Sequence, residues 1–92
     1  MPKLFKIGRY NIFFWSNELG EPIHVHVTVG NPSPNATKIW LTRNGGCIVA
    51  NNQSRIPQYE LNELLEIIST NYENICNLWK RYFNLDEIKY YC

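Results

Sequence analysis

The sequence predicts an α+β protein: a small antiparallel sheet of four to five strands with a long C-terminal helix packed on one face. Three observations carry that reading. Ile23 to Val29 alternates strictly between apolar and polar residues, the period of a half-buried strand. Strand-forming runs separated by turn residues fill the chain as far as Ala50. From Pro57 to Phe83 apolar residues recur every three or four positions, the period of a helix with one buried face.

The strands follow in order. Lys3 to Ile7 is a short one, and Gly8-Arg9 supplies a tight turn into Tyr10 to Ser16, which is rich in β-formers. Ser16 to Pro22 collects Asn, Gly and Pro and reads as a loop. In the next strand Ile23, Val25, Val27 and Val29 face one way and His24, His26 and Thr28 the other. Gly30 to Asn35 is a second loop with two prolines, and Thr37 to Arg43 is a strand. Asn44-Gly45-Gly46 marks a hairpin, because these residues tolerate positive φ, with Cys47 to Ala50 returning.

The helix reading rests on Leu61, Leu64, Leu65, Ile68, Tyr72, Ile75, Cys76, Trp79, Tyr82 and Phe83. Pro57 suits a first helical turn, where its missing N–H costs nothing. Twenty-seven residues in one helix would span about 40 Å, twice the roughly 20 Å of the strands. Either the helix breaks near Ser69-Thr70-Asn71, where Thr70 and Glu73 have capping-box spacing, or it overhangs the sheet. The apolar phase is unbroken there, so a mostly continuous helix is expected. Leu85 to Cys92 forms a tail that packs as a last turn or short strand, or frays.

Composition bounds the function. The chain has 92 residues, enough for one domain with a modest core. Leu, Ile, Val and Phe supply 26 of them against a net charge of +1, which excludes a disordered chain and a binder driven by bulk charge. The N-terminal region lacks an apolar stretch of signal-peptide or membrane-span length. Cys47, Cys76 and Cys92 are scattered and odd in number, which suits a reducing cytoplasm. Aromatics reach 14%, more than a chain of this size needs.

If the Ile/Val side of the Ile23–Val29 strand faces the helix, the other side of the sheet gathers His24, His26, Thr28, Lys38, Trp40, Thr42, Asn11, Phe13 and Trp15. An open face this apolar marks an interaction site. Phe13, Trp15, Glu18, Glu21, Lys38 and Trp40 are its candidate binding residues. Plain packing under the tail or a loop is the bland alternative.

His24 and His26, two apart on a strand, point the same way. They are the only histidines in the chain. Their spacing suits chelating one divalent metal ion or acting as acid and base across a phosphodiester, and the plainer reading is a structural or recognition role, with the imidazoles donating hydrogen bonds to the preceding loop or to a partner. A metal needs a third ligand, and Glu18, Glu21 and Cys47 are the candidates, none at a diagnostic spacing. No other cofactor is indicated, since nucleotide-binding, zinc-finger and serine-hydrolase motifs do not occur.

Several segments stand in an order that resembles a known family. They are M-P-x-L-F-x-x-G (Met1 to Gly8), F-F-W-S-N-E (Phe13 to Glu18), E-P-x-H-V-H-V (Glu21 to Val27) and A-x-K-x-W-L (Ala36 to Leu41). E-L-x-E-L-x-x-I-I (Glu60 to Ile68) and L-W-x-x-x-F (Leu78 to Phe83) follow. Together they resemble the small bacterial proteins of domain of unknown function 4160. The sequence departs from that pattern at Ile23, where a second-proline P-P-H-V-H-V is usual. Leu19 and Gly20 stand where a further histidine is often found, and the tail after Phe83 is additional. The resemblance implies a short cytosolic protein paired with a small operon-encoded partner, in the manner of toxin–antitoxin systems, with RNA or translation as a target.

Three functions are therefore expected in rank. The first is an interaction module binding a small partner, or a second copy of itself, through the aromatic and histidine face or the helix. The second is a ribonuclease-type toxin, with His24 and His26 as acid–base pair and Lys6, Lys38 or Arg43 holding phosphate. The third is a mobile-element inhibitor of a host defence protein.

Overall fold

The computed structural model describes residues 3–31 and 33–92, the side chains of Lys3 and Leu4 excepted. The Met1-Pro2 opening of the first motif and Pro32 of the second loop lie outside these residues. Five strands are followed by two helices: β1 (Lys3–Ile7), β2 (Tyr10–Phe13), β3 (His24–Val29), β4 (Thr37–Leu41), β5 (Cys47–Asn51), α1 (Gln58–Thr70) and α2 (Tyr72–Phe83). The arrangement is α+β, as the sequence predicts.

The sheet is an antiparallel meander in which every strand pairs with its neighbours in sequence, β1-β2-β3-β4-β5. Short connections dictate this order. Ile7 pairs with Tyr10, so β1 and β2 are joined by Gly8-Arg9 alone, and Gly8 takes the positive φ that such a turn requires. At the Asn44-Gly45-Gly46 hairpin Gly45 does the same, and Thr42 N–H donates to Gly46 O across the turn at 2.9 Å.

Strand parity sorts the faces as the alternation predicts. Ile12, Val25, Val27, Ile39 and Leu41 join Leu61, Leu64, Ile68, Ile75 and Trp79 of the helices in one buried cluster. On the other face β3 stands between its neighbours with Phe13 opposite His26, Lys38 opposite His26 and Trp40 opposite His24.

That second face is closed, not open. Asn11, Phe13, His24, His26, Thr28 and Thr42 are all buried, and Trp40 and Lys38 half-buried. The loop between β2 and β3 folds back over the face, and the C-terminal tail covers its margin. The tail is held by Ile23 N–H to Lys89 O (2.8 Å) and Arg43 N–H to Cys92 O (3.0 Å). Tyr91 stacks on Trp40 of this face, while Leu85, Ile88 and Tyr90 pack against the apolar cluster on the helical side. Nothing local in the sequence reports such long-range cover.

The continuous helix is also corrected. The helix breaks at Asn71 (φ −100°, ψ 17°), whose side-chain Nδ2 donates to Ile67 O at 2.9 Å. An asparagine amide competes for a helical carbonyl in this way. The capping box is not formed, because Thr70 Oγ1 donates to Glu66 O instead. The break serves packing. A straight 27-residue helix of about 40 Å would exceed the 35 Å long axis of the molecule. Ile68 and Ile75, seven residues apart on either side of the break, share one face and are both fully buried.

Trp79 anchors α2. Its ring meets Phe14 (5.1 Å), Phe83 (4.7 Å) and His24 (5.5 Å) between centroids. Trp79→Ala is expected to lower folding stability by about 3–5 kcal/mol, read as a large drop in urea midpoint. A loss below about 1 kcal/mol would show that this aromatic junction does not hold the helix to the sheet.

Candidate metal centre

The site starts from the strand period. His24 and His26 sit on β3 with their rings on the same side, centroids 4.9 Å apart and nearly perpendicular. The loop between Phe14 and Ile23 begins and ends in the core, since both anchors are buried. Between Ser16 and Glu21 every side chain is exposed except that of Glu18. Two successive turns, Glu18 N–H to Trp15 O and Glu21 N–H to Glu18 O, aim it inward.

Glu18 Oε2 lies 2.7 Å from His24 Nε2 and 2.8 Å from His26 Nε2. Its other oxygen, Oε1, accepts the Trp15 backbone N–H at 2.7 Å. His24 Nδ1 faces the Pro22 carbonyl at 2.8 Å. The three residues keep 6%, 0% and 9% of their exposure for Glu18, His24 and His26. Aromatic rings wall the cluster: Trp40 and Trp79 lie against His24, and Phe13 and Trp15 against His26.

Burial works to raise the Glu18 carboxyl. The hydrogen bonds from both histidines, the charge of His24 and the Trp15 N–H outweigh it and hold the group at about 2. Glu18 is thus an ionised, acceptor-only group throughout the neutral range. A carboxylate and a peptide carbonyl only accept, so His24 Nδ1 and the Nε2 atoms of both histidines all face acceptors. Donated N–H groups satisfy such a cluster, and so does a cation shared between the two Nε2 atoms and Oε2.

A family model for a domain of unknown function (DUF4160) matches residues 10–80, most of the chain. The chain belongs to the domain of unknown function 4160 family. The match takes in Glu18, both histidines and all four walling aromatics, and leaves the tail outside. No curated protein and no solved structure matches the chain. The DUF4160 match therefore names no reaction, and the chemistry has to be read from the geometry.

The structure gathers some of the sequence-predicted residues and separates others. Phe13, Trp15, Glu18, His24, His26 and Trp40 converge. Phe13 and Glu18 do so as buried residues, so they present no surface to a partner. Glu21 is exposed and lies 3.7 Å from Lys38, whose Nζ sits 4.1 Å over the Trp40 ring. Neither Glu21, which lies by Lys38, nor Cys47, whose thiol faces Leu65 O and Ser69 on the helical side, joins the two histidines. Lys6 is exposed on the edge strand and the Arg43 guanidinium lies over Tyr90. They do not form one phosphate site with the histidines. His24, with both nitrogens engaged and no exposure, is not accessible as a proton donor to a phosphodiester.

Four contributors escaped sequence reasoning, among them Trp79, which the helical period placed in the core stripe and which also lies against His24. The Trp15 N–H and Pro22 carbonyl are backbone groups and leave no residue-type signal. Tyr91, stacked on Trp40 at 4.7 Å and 4°, comes from the far end of the chain.

The low Glu18 value has a signed consequence. Its folded value lies below the ordinary 4.5, so its stabilisation is complete above that pH and disappears as the pH falls toward about 2. With a chelator present, urea midpoints at pH 7, 5 and 3 are expected to hold and then fall across that window. In Glu18→Gln the fall is expected to be shallower. Parallel pH profiles for the two proteins would show that the carboxylate is not held down by its imidazole partners.

Proposed function

We propose that this protein binds one divalent transition-metal ion of the zinc class through Glu18 Oε2, His24 Nε2 and His26 Nε2. One observation carries the reading. Three ligand atoms of the right kind lie within 4.8 Å of one another, buried, with His24 Nδ1 already turned to a backbone carbonyl. A ligating histidine characteristically donates its other N–H in this way, which fixes the tautomer that presents Nε2 to the metal. The Trp15 N–H on Oε1 orients the carboxylate likewise.

The donor set of two imidazoles and a carboxylate suits zinc and its late first-row neighbours. Bonds of about 2.0–2.2 Å put tetrahedral neighbours about 3.3 Å apart, so Glu18 draws back by about half an ångström when the ion replaces the protons. Glu18 sits on a loop and can make that movement. The ion pins the loop to the sheet and supports the cover of the second face, and its binding free energy adds to folding.

Calorimetric titration of chelator-treated protein with Zn²⁺ is expected to show one site and a rise in thermal midpoint. At a hundredfold excess over Kd the gain is about 2.7 kcal/mol. Glu18→Gln and His26→Gln, which retain size, are expected to weaken binding at least tenfold, the minimum seen when even an outer-shell partner is lost. Equal affinity in both variants and wild type would overturn the assignment.

A second reading, docking of a small partner protein, is favoured by the margin of the same site. Tyr91 is 60% exposed where it stacks on Trp40, with Lys38, Glu21 and the exposed Leu19 nearby in chain and register. The family resemblance makes a two-gene, toxin–antitoxin-like pair in the cytoplasm the source of that partner. The three thiols are free, and among the described residues no helix is long and apolar enough to cross a membrane. Light scattering across a concentration series, alone and with the product of the adjacent small gene, is expected to show a complex that Tyr91→Ala weakens. A monomer throughout would overturn this reading and leave the metal reading standing.

A further inference from the structure

Three protein ligands leave a zinc-class ion incomplete. Structural zinc is almost always held by four protein donors, whereas a site with three keeps a position for an exogenous ligand. Among the described residues, Glu18, His24 and His26 are the ligating side chains that converge. The Trp15 N–H engages the second oxygen of Glu18, Oε1, which favours ligation through Oε2 alone. Charge points the same way. Two neutral imidazoles and one carboxylate cancel one of the two charges of the ion, and a buried residual charge favours an anion as the remaining ligand.

Burial gives the direction of entry. His24 is sealed by Trp40 at 5.4 Å and Trp79 at 5.5 Å and has no exposure. What exposure remains belongs to the His26 and Glu18 side chains, on the side walled by Phe13 and Trp15. Phe13 is fixed in β2 and wholly buried. Trp15 is half-buried, lies just past the end of that strand, and borders a shallow cleft with Ser16, Asn17 and Pro34. Its indole is the one wall on that side placed to move without disturbing a strand.

We infer that the Glu18–His24–His26 centre takes one small exogenous anion as a fourth ligand, admitted past the Trp15 ring. The inference rests on the metal reading above. The nearly complete burial of the donors restricts the ligand to a few atoms, such as hydroxide or azide. Larger phosphate esters and peptides do not reach the ion.

The test uses Co²⁺ as a visible stand-in for zinc and azide as the anion. Stoichiometric cobalt bands are expected on loading, followed by a saturable shift of those bands with azide. Trp15→Ala keeps the backbone N–H that holds Oε1. It is expected to retain cobalt while changing the azide dissociation constant several-fold. If cobalt binds and azide leaves the wild-type bands unmoved, the coordination is complete without an exogenous ligand and this inference is overturned while the metal reading stands. If neither cobalt nor zinc binds, both fall. An azide titration of Trp15→Ala that superimposes on wild type overturns the entry route.

Discussion

A single carboxylate oxygen holds the second face of the sheet together. Glu18 is the only inward side chain between Ser16 and Glu21, and its Oε2 meets both imidazoles of β3. A buried carboxylate is tolerated only when its lone pairs are answered, and here the answers come from two parts of the chain. One donor is a loop amide and two are side chains of a central strand. The loop's path over the sheet, the burial of both histidines and the enclosure of Phe13 all depend on that convergence.

The helical side solves a different problem by ordinary means. Its apolar cluster is larger, and it needs no charged partner because Ile12, Val25, Val27, Ile39 and Leu41 meet apolar helix residues directly. The break at Asn71 fits two short helices to a sheet that one long helix would overrun. Trp79 joins the two sides, since its ring touches Phe14 and Phe83 in the core and His24 at the edge of the polar cluster.

The polar cluster is buried and walled by aromatics. A purely structural anchor would be met as well by an apolar residue at position 18, because replacing a buried ion pair with apolar side chains is often neutral or stabilising. The proposed metal reading accounts for three metal-ligand types meeting at one point.

Local periodicity made much of the fold legible. The alternation of Ile23 to Val29 predicts which residues of β3 share a face, and the Asn44-Gly45-Gly46 turn and the three- and four-residue helical spacing place their elements correctly. These signals are local, because strand parity and helical period are properties of neighbouring residues. For the same reason the sequence by itself determined that His24 and His26 lie side by side, and it offered Glu18 among several partners. Only the tertiary structure decided that Glu18 and not Glu21 or Cys47 meets them, that the face is covered, and that Tyr91 closes on Trp40. Those outcomes depend on where a loop and a tail run across the sheet. That path is set by packing between residues far apart in the chain, which no local pattern encodes.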